Sequence, residues 1–442
     1  MIKTIKTKEK DIIIQSLRSG VVPRMGLQHI QVGRNKELNS FVRNIETISN
    51  GGTAFRLVVG EYGSGKTFFL SLIRSIALEK GLVVMNADLS PTKRLYSSNG
   101  QARTLFSELT MNISTRTKQD GGALSNILEK FISNARIEAT ERCIDVSAVI
   151  YEKLRELNDY TDGYNFATII SKYWEGYNTG NDILKENALK WLRAEYTSKN
   201  DTMRDLGVRE YINDATFYNS LKLYSIFVRK AGYKGLLICL DEMVNLYKIP
   251  TSISRKSNYE VILNILNDTL QGSLSGIGFI MGGTPDFLTD SYKGLYSYEA
   301  LKSRLTENSF TSILGLTDYN STVLRLPNLT QEEFLILLQN LRNVYASGNA
   351  QNYLIPDKGL IAFMNHCANR IGECYFRTPR TTIKGFLDLL SILEQYPSVK
   401  WDEIIDNIEV EADVEESDFS KNTSRTQLIT DSTDDEFATF KL

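Results

Sequence analysis

Apolar residues fall along this chain in two rhythms. Near-continuous apolar runs occupy residues 55–59, 81–87, 235–240, 275–283 and 322–326. Runs of this length predict β-strands, and the unbroken one at 235–240 is that of a strand covered on both faces, as in a parallel sheet with helices above and below. Elsewhere apolar residues recur three and four positions apart. That spacing predicts helices over residues 8–19, 34–48, 67–78, 105–113, 123–137, 146–157, 183–194, 211–231, 334–344, 360–367 and 381–393. Thr330, with Glu333 three residues on, reads as a helix cap. The order of elements predicts an α/β fold around a five-stranded parallel sheet. It divides the chain into an N-terminal helical segment (1–50), a core (51–326) with a helical insertion over about 90–230, a helical unit (327–400) and a tail (401–442). Trp174 and Trp191 stand at helical spacing in or near the insertion and read as packing anchors.

Composition narrows the class. A chain of 442 residues that is 42% hydrophobic can bury large cores in two or three units. No apolar run approaches the roughly 18 residues of a membrane span, and the basic N-terminus has no signal-peptide pattern. Four cysteines without Cys-x-x-Cys spacing and only two histidines, His29 and His366, argue against zinc and for free thiols in a reducing cytoplasm. Charge is uneven. Residues 402–442 carry 13 acidic and 3 basic side chains, which leaves 48 basic against 40 acidic in residues 1–401. The tail reads as disordered, either solvated or docking through Phe419, Phe437 and Phe440. The basic body suits either double-stranded DNA or plain solvation.

Chemistry concentrates at two strand ends. Gly60-Glu61-Tyr62-Gly63-Ser64-Gly65-Lys66-Thr67 fits G-x-x-x-x-G-K-[ST] between a predicted strand and a predicted helix, with Phe68 following. Glycines let the backbone wrap a phosphate, and the helix N-terminus supplies N–H donors and a positive dipole end. Lys66 would meet the β- and γ-phosphates of ATP and Thr67 would hold Mg²⁺. Asp241 and Glu242 close the strand 235–240. Asp241 would share the Mg²⁺, and Glu242 would act as general base on the attacking water.

Further elements resemble AAA+ and STAND ATPases of the origin-recognition type. There a Gly-Arg element like Gly33-Arg34 packs beside the adenine, which implies nucleotide contact for both residues here. The resemblance makes Thr284, at the end of the fourth strand, a sensor for the γ-phosphate, although a strand-to-turn signal explains it as well. It makes Arg304 a finger toward a neighbouring subunit in a homo-oligomer, against a plain surface arginine. The unit over 327–400 becomes a lid, with Arg380 as the sensor that closes onto the phosphates, or else Thr378-Pro379 is only a helix start. The blocks at 19–24, 26–27, 32–34, 56–67, 87–91, 121–124 and 298–304 together resemble the BrxD family of ATP-binding proteins from bacteriophage-exclusion (BREX) loci. That resemblance implies a cytoplasmic ATPase working beside a helicase or another defence protein. A nucleotide-dependent scaffold or a DNA-binding module with little turnover is the alternative.

Overall fold

The computed structural model describes residues 5–308, 316–372, 374–377 and 379–405. Thr378 and all of the tail from residue 406 lie outside them. Helix α1 (Thr7–Arg18) and helix α2 (Asn35–Ser49) precede strand β1 (Thr53–Val59), helix α3 (Lys66–Glu79) and strand β2 (Val83–Asp88). Seven helices follow before the next strand: α4 (Gln101–Met111), α5 (Leu124–Arg142), α6 (Val146–Leu154), α7 (Gly163–Thr179), α8 (Asp182–Leu192), α9 (Lys199–Leu206) and α10 (Phe217–Lys230). Strand β3 (Leu236–Asp241), helices α11 (Val244–Tyr247) and α12 (Ser252–Leu270), strand β4 (Ile277–Gly283), helices α13 (Pro285–Thr289) and α14 (Glu299–Leu305) and strand β5 (Val323–Arg325) complete the α/β part. The chain then runs through α15 (Gln331–Tyr345), α16 (Asp357–Ile371), α17 (Cys374–Arg377), α18 (Pro379–Gln395) and α19 (Trp401–Ile404).

All five strands are parallel and lie in the order β2-β3-β4-β1-β5. Every carboxyl end therefore meets one edge of the sheet. Because β4 lies between β1 and β3, the loop after β1 and the acids after β3 flank the end of β4 across a strand-order switch, where open α/β sheets bind ligands.

Alternate residues of each strand feed different cores, as a period of two requires. Leu236, Ile238 and Leu240 enter a core built with helices α4, α5, α7, α10 and α12. Leu237 and Cys239 enter another, formed with α2 and α3. A third core joins α1 to α15, α16 and α18. Arg56, which interrupts the apolar run of β1, stacks 4.7 Å from the Phe41 ring and donates to Ser40 Oγ and Tyr319 O. Burial lowers its pKa to about 10, opposed by Asp318, so it stays charged at neutral pH. Cys143, Cys239 and Cys367 are free thiols.

Several elements differ from the sequence expectation. Helix α10 starts at Phe217, not near 211, because the Asn213 side chain accepts from the N–H groups of Ala215 and Thr216 and holds a turn there. The helix expected over 146–157 gives way after Leu154 to a 3₁₀ segment, Arg155–Asp159. Helices α7 and α12 were not anticipated; the apolar stripe of α12 begins only at Tyr259, after about two turns in which Ile253 is the one apolar residue. The Thr330 and Glu333 capping box, by contrast, forms as expected.

Candidate nucleotide site

The loop between β1 and α3 takes its shape from glycines. A Cβ on Gly60 would collide with Ser64 Oγ. Gly63 and Gly65 have φ of 79° and 81°, a left-handed conformation that only glycine adopts cheaply. The Lys66 ammonium turns back into this loop and donates to Gly60 O and Glu61 O, both at 2.8 Å. Burial lowers its pKa, an effect that Asp241, Glu242 and Glu61 oppose.

Opposite it, Thr67 Oγ1 donates to Asp241 Oδ2 at 2.7 Å, while Asp241 Oδ1 accepts from the Glu242 N–H at 2.8 Å. Gly282 on β4 makes room for that carboxylate, since a Cβ there would strike Asp241 Oδ1. Glu242 has φ 56°, strained for a non-glycine residue, and Asn245 Nδ2 bridges Glu242 O and Leu89 O beside it. A hydroxyl beside one carboxylate fits Mg²⁺, which takes one or two protein oxygens and draws the rest from phosphate and water. Among the described residues no group of three or more His, Cys, Asp or Glu could hold a metal on its own.

A cavity of about 250 Å³ opens over the loop. Gly63, Ser64, Gly65, Lys66, Thr67 and Phe68 form its floor, and Glu242 reaches its edge. Val32, Leu38, Leu329, Leu337 and Ile383 make an apolar wall of a size and character suited to a nucleobase.

The other predicted residues fall as follows. Arg34 lines the cavity, but its Nη2 is engaged, donating to Ser64 O at 2.7 Å and Pro327 O at 2.8 Å. Gly33 lets the Glu333 side chain of α15 approach closely, which a Cβ would prevent. Arg380 lines the cavity from α18. It donates to the Tyr62 hydroxyl at 2.9 Å, with its guanidinium 5.6 Å from the Tyr62 ring centre. Thr284 ends β4 and caps α13, its oxygen accepting from the Phe287 N–H. Arg304 is exposed on α14, donates to Ala300 O one turn back, and does not line the cavity. The sequence reading missed Gly282, Asn245 and the apolar wall. A glycine facing a carboxylate across two strands has no local signature.

The decisive comparison is with family models. One described as BREX system ATP-binding protein BrxC/D matches residues 5–409. The chain belongs to the BrxC/D family. Curated proteins gave no match. The BrxC/D match takes BrxC and BrxD together and spans the sheet, the phosphate-type loop and the C-terminal helices. ATP binding in a BREX phage-defence system is thus the role that goes with this family. No described helix is long and apolar enough to cross a membrane.

Proposed function

We propose that this chain is an AAA+-type ATPase of the BrxD branch that hydrolyses ATP with Mg²⁺. Its lid would switch a defence complex on a partner helicase or on DNA. The observation that carries this is the chain of contacts from Thr67 through Asp241 to Glu242, beside Lys66 at the cavity floor.

Adenine would lie on the apolar wall, with the phosphates over Gly60 to Thr67. Lys66 would exchange its two loop carbonyls for β- and γ-phosphate oxygens. Thr67 and Asp241 would hold the Mg²⁺, which supplies charge neutralisation on the phosphates. Glu242 would take a proton from a water whose oxygen attacks the γ-phosphorus. The bond from that phosphorus to the bridging oxygen breaks, and ADP and phosphate leave. Thr284 can still donate its hydroxyl proton while its oxygen caps α13. Arg380 would leave Tyr62 for the phosphates as the helices over 327–400 close.

Removal of the ammonium tests the site. Lys66→Ala is expected to lose ATP binding by at least about tenfold, read by equilibrium dialysis, because a charge-assisted phosphate contact disappears. Unchanged ATP affinity would sink the assignment. Arg304, exposed in the single chain, is assigned to the cavity of a second copy. Light scattering should show a larger particle with a non-hydrolysable ATP analogue than without it, and a monomer in both conditions would remove that role.

A further inference from the structure

A second cavity, of about 280 Å³, opens on the other flank of α3 at the carboxyl end of β2. Ser71 and Arg74 of α3 face it, whereas Lys66, Thr67 and Leu72 of the same helix face the nucleotide cavity. Val22 lines both. The segments 19–24 and 87–91, singled out in the sequence, contribute Arg24 and Asp88 to its wall, while Gly20, Val21 and Val22 line the nucleotide cavity.

Asn112 Nδ2 donates to Asn86 O within this wall, but other polar groups of the cavity have no protein partner. Among the described residues, Arg24, Asp88 and Asp120 line the cavity exposed, without a side-chain hydrogen bond or ion pair that would hold them out of a ligand's reach. Arg74 donates from Nη2 to Ser114 Oγ and Gln119 O, yet its Nε is buried without an acceptor. Asn86 Oδ1 is buried without a donor. Arg24 and Arg74 share this wall and their charges are felt by one another; of the carboxylates beside them, Glu108 is paired with Lys93, and Asp120 acts on Arg74 without forming an ion pair with it. Buried polar atoms such as Arg74 Nε and Asn86 Oδ1 are seldom left unpaired, and a cavity walled by both is one that a ligand can complete.

We propose that this cavity binds a small molecule with an anionic group at one end and N–H or O–H donors at the other, the chemistry of a nucleoside monophosphate. Arg24 and Arg74 take the phosphate, while Asn86 Oδ1 and Asp88 accept from the base or sugar. Asp88 pairs in register with Asp241, so the occupant lies one strand from the residue proposed to hold Mg²⁺. The site is independent of the reading of the loop at Gly60.

Equilibrium dialysis of the full chain with AMP, GMP and inorganic phosphate tests this. The Lys66→Ala chain, and the native chain saturated with a non-hydrolysable ATP analogue, are each expected to take up one equivalent of AMP or GMP. Arg24→Glu should weaken that uptake by tenfold or more. Asp88→Asn, which leaves both arginines in place, should weaken the nucleotide but not inorganic phosphate. No uptake in either background, or equal uptake by the native and Arg24→Glu chains, would overturn the site. Phosphate binding as tight as the nucleotide would overturn the donor-reading end. Failure of ATP binding at the loop would leave this uptake unchanged, so the two assignments fail separately.

Discussion

Glu242→Gln is expected to hold ATP as the native chain does and to release ADP at least about 10²-fold more slowly, the usual contribution of a positioned general base. Gln has the shape of Glu and tolerates φ 56° about as well, so the bond from its N–H to Asp241 should survive. Only the proton acceptor is lost. Steady-state ADP release with Mg²⁺, beside ATP binding by dialysis, separates this outcome from that of Lys66→Ala, which removes binding itself. Turnover equal to the native rate in Glu242→Gln would assign the base elsewhere. It would also favour a scaffold that uses ATP without spending it.

Arg34→Ala is expected to have the second large effect, and on stability as much as on nucleotide. Two charge-assisted bonds disappear at once, those to Ser64 O in the loop and Pro327 O at the start of the C-terminal helices. Bonds to a charged group contribute about 1.5–3 kcal/mol each, so a loss of about 3 kcal/mol or more is expected. The sequence made Arg34 a neighbour of adenine. Its observed bonds make it a three-way tie between the N-terminal element, the phosphate-type loop and the helices over 327–400. ATP should then protect residues 379–395 from hydrogen exchange less in the variant than in the native chain. A native-like urea midpoint together with native-like protection would refute this role.

The sequence displayed the strands and the glycine loop because both are local patterns. Spacing alone relates Gly60 to Lys66, and an unbroken apolar run reports a strand covered on two faces. Asp241 was legible for the same reason, as the last residue of such a run. Strand order was not, because insertion of β4 between β1 and β3 depends on which edges pair after the chain has folded. Nor was the contact of Arg380 with Tyr62, which joins residues far apart in sequence through the packing of α18. Thr284 shows how one residue type serves two purposes: the polarity that suggested a phosphate sensor also caps a helix, and the capping bond is the one that forms in the single chain.

The helices between β2 and β3 share an unbroken core with the sheet, running from Met85 and Leu240 out to Phe166 and Trp191. They are therefore a stiff handle and not a tethered flag. A protein that grips their outer surface would act on the strand ends through this core, whereas the C-terminal helices close around a core of their own and meet the loop through Arg34 and Arg380. Under the proposed function, binding at the handle would reach the nucleotide cavity through the strand ends, where Arg34 and Arg380 join the loop to the C-terminal helices.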